Sequence, residues 1–444
     1  MSIKVLDLEL TRPIKPVWGM AGFKALRLLA RYKGYPLRWV EVANKGQPAI
    51  SAELIRQALI EQLDRSVVSA VFDEQLQRQF NYQAGKPPVS IIVATHNQPH
   101  RLAACLKALD VLDYPEFEII VVDSNPSGQT SALPDLKHLS HYLFQPHPGL
   151  DVGRNMGIAA ANYDLIAFIG DNTRPDSDWL SAIAGAFLEP EVKAVTGFVA
   201  PAVLETGSQV IYETAFNSLR QRFKRRFINR NRLSDRGFLE TPGVRKWHLN
   251  RRLIWRSQFT PAELLQADLM GNGMNMAFRR EVFDSVGLFN EALSLDTPYG
   301  GSGDIDMLHR VVAQGHTLLY EPAALVWYVP PQDEAALRKA AFDRGRAFGA
   351  YLSACAQNGM VDRRQVRRFA RRAWLTRSLL RRLIRPGNVP RRLIASELAG
   401  ALLSPWFYFK ARRRIASLSQ KPARIPQLPQ EESQNHIIEN ANPG

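Results

Sequence analysis

Two cysteines, Cys105 and Cys355, are all that 444 residues offer, too few for a disulfide framework or a cysteine-rich metal site. Long apolar runs are missing as well. The longest, LAGALLSPWFYF at 398–409, falls short of the roughly 18 residues a bilayer span needs and contains Pro405, so it reads as buried or interfacial. The opening MSIKVLDLEL lacks the apolar core of a signal peptide, which together with the scarce cysteines predicts a reducing cytoplasm. No GxGxxG follows the first strand of the α/β pattern and no GxxxxGKS/T occurs, removing a dinucleotide fingerprint and a P-loop.

Acidic residues are scarce in two stretches, and this makes the net charge of +15 uneven. Residues 361–414 hold fifteen Arg and one Lys against Asp362 and Glu397, and residues 220–256 hold thirteen Lys and Arg against Asp235 and Glu240. The rest is a mildly acidic body with an ordinary apolar share of 45%.

Four regions are expected. Residues 1–85 form an N-terminal accessory domain, with Ser51, Glu53 and the apolar set Leu54, Ala58, Leu59 and Leu63 predicting a capped amphipathic helix. After the QAGKPP linker, residues 86–335 form the main α/β domain, residues 336–416 a basic helical region, and residues 417–444 a disordered tail rich in Gln, Pro, Asn and Glu. Within the main domain VSIIVATHN, FEIIVVDSN and DLIAFIGDN read as buried strands separated by helices, the pattern of a mostly parallel sheet covered on both faces. Ligands of such sheets sit at the carboxyl ends of the strands. Those ends carry Thr95, His96 and Asn97, then Asp123 and Ser124, then Asp171 and Asn172.

From VSIIVATHN through EIIVVDSNPSG, GLDVGRNMGIAAANYDLIAFIGDN and GNGMNMAFRREVFDSVGLFNEAL to GGSGDIDMLHRVVAQGHTLLYEPAALVWY, the chain resembles a family 2 glycosyltransferase of GT-A fold. The resemblance implies transfer of a sugar from a nucleoside diphosphate to an acceptor hydroxyl with inversion. Under it Asp123 recognises the nucleotide, with Thr95, Asn97 and Asn172 beside it, and Asp171 lies in the metal and diphosphate loop. Asp304 is the expected catalytic base. Gly271, Asn272, Gly273 and Asn275 form part of the donor and acceptor floor. The QxxRW associated with processive synthesis is absent, which favours transfer of a single sugar.

Three departures accompany the resemblance. Gly170, Asp171 and Asn172 stand where the family has three aspartates, Gly303 where it has a glutamate before the base, and Tyr328 where it often has a histidine. Hard cations such as Mn²⁺ or Mg²⁺ want several oxygen ligands, so a metal is expected to bind weakly or not at all. Arg154 and Arg174 are candidates to take over the diphosphate charge. His96, His309 and His316 lack ligand spacing and read as structural, and Asp306 as a structural acid.

Arg363, Arg364, Arg367, Arg368, Arg371 and Arg372 recur at helical spacing opposite Val366, Phe369 and Ala373, the pattern of a basic amphipathic helix on an anionic membrane. SPWFYFKARRR sets aromatics beside cations, as at a membrane interface. The 220–256 stretch suits a phosphate-bearing, lipid-linked acceptor. Nucleic acid is the rival partner, and no nucleic-acid motif supports it. The alternative is a non-catalytic GT-A-fold protein that binds a nucleotide-sugar or a partner; a basic nucleic-acid or lipid scaffold ranks below both.

Overall fold

The computed structural model describes residues 2–63, 86–124, 136–147, 149–216, 223–229, 233–234, 264–294, 301–359, 361–384 and 389–419. The N-terminal region is a small sheet in the order β1-β3-β4, built from β1 (Ile3–Glu9), β3 (Ala25–Tyr32) and β4 (Tyr35–Ala43). Beside it β2 (Val17–Trp18) pairs with β5 (Ala49–Ile50), and helix α1 (Ala52–Gln62) comes next. Ser51 caps α1 by accepting the Leu54 amide at 3.3 Å. The buried face of α1 is Ile55, Ala58 and Leu59, whereas Leu54, expected inside, is 52% exposed. The part of the expected helical stretch beyond residue 63 lies outside the described residues.

This unit has its own core of Met20, Leu26, Leu28, Val40, Ile50 and Ile55, yet it is fastened to the main sheet. Leu29 and Trp39 pack with Phe198, Leu325 and Trp327. Arg31, 7% exposed at its side chain, bonds Asp7 at 2.8 Å and holds Asp176 at 2.7 Å, just beyond the acidic loop.

Among the described residues the main sheet has ten strands in the order β13-β12-β15-β11-β14-β9-β6-β7-β8, with β10 on the side against β15. They are β6 (Val89–Thr95), β7 (Phe117–Asp123), β8 (Leu139–Phe144), β9 (Leu165–Ile169), β10 (Thr173–Pro175), β11 (Val192–Pro201), β12 (Arg226–Ile228), β13 (Leu233–Ser234), β14 (Asn275–Arg279) and β15 (Thr317–Tyr328). The half formed by β8, β7, β6 and β9 is parallel throughout; β14 joins it antiparallel to β9, and β11 and β15 run parallel to each other. The continuous Val and Ile runs are explained by burial on both faces. Ile91, Val93, Ile119 and Val121 face α2 (Pro99–Asp110) and α4 (Trp179–Ala186) in one core. Ile92, Ile120, Val122 and Phe168 face the other, with α3 (Leu150–Ala160) and α7 (Gly303–Ala313).

Short helices α5 (Gly207–Ala215) and α6 (Glu281–Val286) complete this domain. The C-terminal region is helical: α8 (Glu334–Asn358), α9 (Arg363–Arg368), a π-helical segment Phe369–Leu380, α10 (Arg381–Ile384) and α11 (Arg391–Ser419). Helix α11 extends into the expected tail up to Ser419, and residues 420–444 lie outside the described residues. Val366 is buried, and Phe369, Ala370 and Trp374 pack against the second core, so the apolar side of this basic stretch faces protein. Most of the 220–256 stretch is outside the described residues; within it Arg225 is turned onto Glu321 at 3.0 Å, both about 8% exposed.

Candidate active site

Strands β6 and β7 are in register, so Thr95 stands beside Asp123 at their carboxyl ends. Asp171 follows β9, the neighbour of β6 on the other side. The Thr95 hydroxyl donates to Asp171 Oδ2 at 2.8 Å. Ser124 closes the gap between β6 and β7, its amide and hydroxyl both donating to the Thr95 carbonyl at 3.0 and 3.1 Å. Asn97 is exposed at the mouth with φ of 50°, a left-handed turn that Asn tolerates better than most residues. The three strand ends therefore form one polar cluster, as the sequence pattern implies.

Asp171 is 6% exposed, and burial pushes its carboxyl above the usual range while the Thr95 hydrogen bond and the field of Arg101 oppose the shift. Asp123 is 8% exposed and its Oδ2 accepts the Tyr142 hydroxyl at 2.6 Å. That places Tyr142, on the edge strand β8, against Asp123 in the strand-end cluster; its half-buried strand carries little apolar signal, which is why the sequence pattern passed over it.

Opposite these ends runs the loop Gly271 to Met274. Gly170 donates to the Met274 carbonyl at 3.2 Å, and the Gly273 amide donates to Asp304 Oδ2 at 2.7 Å. Asp304 Oδ1 accepts the Ile305 amide at 2.9 Å, so two backbone N–H groups orient this carboxylate in the first turn of α7. A Cβ on Gly273 would lie 2.6 Å from Arg154 Nη2 and 2.7 Å from Asp304 Oδ2, so this position needs glycine. Asn272 folds onto its own loop, accepting the Met274 amide at 2.9 Å, and Gly271 packs against Thr196.

Two residues are placed otherwise than expected. Asn275 does not face an acceptor: fully buried, it bonds the Trp179 indole and the Phe198 and Ala324 carbonyls at 2.7–3.0 Å, tying four elements together. Arg154 does not present a free fork to phosphate. Its Nη1 bonds Asp151 at 2.8 Å, its Nη2 the Gly273 carbonyl at 3.1 Å, and its guanidinium lies over Phe289. Arg174 is exposed on β10.

Asp151, which the sequence pattern did not single out, is the anchor of this arrangement. It is fully buried at the start of α3; Oδ1 takes the Arg154 bond, while Oδ2 has no hydrogen-bond partner among the described residues. Burial, with Asp304 nearby adding to it, pushes its carboxyl up to about 6 against the opposing charge of Arg154. A Cβ built on Gly303 would meet Asp151 Oδ2 at 2.0 Å and Cγ at 2.2 Å. The carboxylate therefore fills the room that a side chain before Asp304 would need, which gives a physical reason for glycine there. An Asp placed i,i+3 to Arg154 at a helix start was the available signal. Asp306 is 1% exposed and paired with Arg310 at 2.8 Å, a structural role. Tyr328 is buried with its hydroxyl on Glu213 at 2.7 Å.

At Asp171 one carboxylate oxygen is already hydrogen-bonded by Thr95, and the Gly170 carbonyl is occupied by the Thr173 hydroxyl at 2.7 Å. Among the described residues no group of three His, Cys, Asp or Glu comes together.

Residues 90–287 match the family described as glycosyl transferase family 2. These residues form a family 2 glycosyltransferase domain. The chain is similar to a pre-mycofactocin glycosyltransferase of Mycobacterium tuberculosis, 25% identical over 242 residues that cover 54% of this chain and 42% of the relative. It is also similar to the succinoglycan biosynthesis protein ExoM of Rhizobium meliloti, 28% identical over 135 residues, 27% of this chain and 43% of that protein. The chain thus spans less than half the length of these curated relatives. Among solved structures the mannosyltransferase PcManGT from Pyrobaculum calidifontis, in complex with GDP-Man and Mn2+, aligns with 80% of this chain and 86% of its own at 15% identity and a TM-score of 0.41. The family 2 domain is α/β with a central, mostly parallel sheet, and among the described residues no helix is long and apolar enough to cross a membrane.

Proposed function

We propose that this chain transfers a single sugar from a nucleoside-diphosphate-sugar to an acceptor hydroxyl with inversion. One observation carries the reading: Gly170 is bonded to Met274 and Gly273 to Asp304, so a single short loop joins the Asp123–Asp171 strand ends to a carboxylate aimed from α7. A donor laid across the strand ends would direct its anomeric carbon toward that loop. The acceptor oxygen attacks this carbon, the bond to the diphosphate oxygen breaks, and the acceptor proton passes to Asp304 as general base. Asp123, with Tyr142 behind it, recognises the nucleotide; Thr95, Asn97 and Asn172 line the same mouth. Asp151 and Arg154 act as positioning residues, holding the Gly273 peptide against Asp304.

Asp171 alone binds Mn²⁺ or Mg²⁺ weakly in this reading, and no step above is routed through the ion. The acceptor is phosphate-bearing and lipid-linked. In this reading the chain divides into an accessory unit at 1–85 with a core of its own, the transferase domain at 86–335, and a basic helical region at 336–416 that packs on the transferase domain.

The test is thermal stabilisation by UDP, GDP, dTDP, CDP and their sugars, with Mn²⁺ and with chelator, on the wild type, Asp123→Ala and Asp304→Asn. One nucleotide should stabilise the wild type and Asp304→Asn but not Asp123→Ala, and Asp304→Asn should lose transfer while keeping donor binding. Binding without transfer in the wild type would favour the non-catalytic alternative, and no stabilisation by any nucleotide would overturn the reading.

A further inference from the structure

Helix α11 has one face that the fold uses and one that it does not. The inner face, Leu393, Ile394, Ala401, Ser404, Tyr408 and Ala411, is buried. On the outer face Leu402, Leu403, Trp406 and Phe409 are 64%, 48%, 59% and 52% exposed. At 3.6 residues per turn Leu402, Trp406 and Phe409 share one stripe with Leu403 at its border, spanning roughly 10 Å of helix. Exposed clusters of this kind mark contact surfaces.

The exposed charges of α11 itself have one sign. Arg391 and Arg392 precede the stripe, Arg392 paired with Glu334 of α8 at 2.6 Å, and Lys410, Arg412, Arg413 and Arg414 come after it, all exposed. The only acid in α11, Glu397, is 3% exposed and points inward to Arg344 and Arg382 at 3.3 and 3.1 Å. Lys410 Nζ lies 5.2 Å from the Trp406 ring, an aromatic with its cation at the rim of the apolar stripe.

We propose that α11 docks this face on an anionic lipid bilayer, lying in the plane of the head groups. An apolar stripe too short to span, with Trp at its centre and cations at both ends, matches an interface where acyl chains meet anionic head groups. A second copy on the same face would set cations against cations. Docking goes beyond the proposed transfer reaction and does not depend on it.

The test is co-sedimentation of the full chain with vesicles of phosphatidylcholine alone or mixed with phosphatidylglycerol, at low and high salt. Binding should require phosphatidylglycerol and weaken with salt. Trp406→Gln with Phe409→Gln should reduce it by about tenfold or more, and Lys410→Glu with Arg413→Glu should do the same. Because these side chains are exposed, both variants should keep the wild-type melting temperature. Equal binding to both vesicle types, or full binding by the Trp406/Phe409 variant, would overturn the assignment. A wild-type dimer in sedimentation velocity that the Trp406/Phe409 variant turns into monomer would also overturn it, making the face a contact between copies.

Discussion

Replacing Gly303 by alanine should destabilise the protein far more than a methyl group at a helix start ordinarily would. The added Cβ would stand 2.0–2.4 Å from the three carboxylate atoms of Asp151, closer than any tolerable contact. The carboxylate cannot yield easily, because Asp151 is fully buried, held by Arg154, and its amide is fixed on Ser294 Oγ at 2.8 Å. Overpacking of this kind costs about 1–3 kcal/mol, and strain on the buried ion pair brings the expected loss to about 2–3 kcal/mol. Asp151→Ala alone should cost about 3 kcal/mol, since it leaves the Arg154 guanidinium buried without its carboxylate. In that background the clashing atoms are gone, and Gly303→Ala should become neutral or stabilise by up to about 1 kcal/mol through its effect on the unfolded chain. The double-mutant cycle should therefore give a coupling of about 2–4 kcal/mol, read by urea unfolding of the four proteins. An equal cost of Gly303→Ala in both backgrounds would refute the idea that Asp151 occupies that space.

The same carboxyl has a signature in pH. With its folded value near 6 against a usual 3.8, the folded state holds the Asp151 proton more tightly, so this group's contribution to stability falls as pH rises from about 4 to about 6. His309 works the other way: burial lowers it to about 4 from 6.5, and its contribution is lost as pH falls through that window. The stability of the wild type relative to Asp151→Asn, measured at matched pH, should drop between pH about 4 and about 6; a flat difference would show that Asp151 does not titrate there. Gly170→Asp together with Asn172→Asp should raise Mn²⁺ affinity in calorimetry. Unchanged affinity would mean the loop is not aimed at a donor phosphate. Arg31→Ala should cost about 3 kcal/mol by leaving Asp176, only 10% exposed at its side chain, without its guanidinium, and limited proteolysis should then release the N-terminal unit; a resistant variant would show that the apolar contacts of Trp39 suffice.

The legible parts of the fold were those whose cause is local. VSIIVAT, FEIIVVD and LIAFI announce buried strands because both faces are covered, and their ends place Thr95, Asp123 and Asp171 together by topology alone. The rest depends on partners distant in the chain. Nothing in GLDVGRN reveals that Asp151 reaches the backbone of Gly303, and nothing in GMNMAF reveals that Asn275 is spent on Trp179. At the start of α1 Ile55 rather than Leu54 is buried, because the two are equally apolar and only the sheet beneath decides between them, while Ala58 and Leu59 face inward as expected. In the C-terminal region the alternation of Arg with apolar residues was plain, but which apolar side chains meet protein depended on α8, against which α11 packs.

That packing has a mechanical consequence. Gly345, Gly349 and Gly400 let the two backbones touch: a Cβ on any of them would come within about 2 Å of Glu397 O, Ser404 Oγ or Phe342 O. Three such points along two helices act as cogs. Helix α11 can neither roll about its axis nor slide by a residue without driving a side chain into a carbonyl, and α8 is in turn seated on α7, where Tyr351 meets His309. The outer stripe of α11 and the carboxylate of Asp304 therefore belong to one rigid assembly, so whatever the stripe rests on sees the cleft at a single fixed tilt and height.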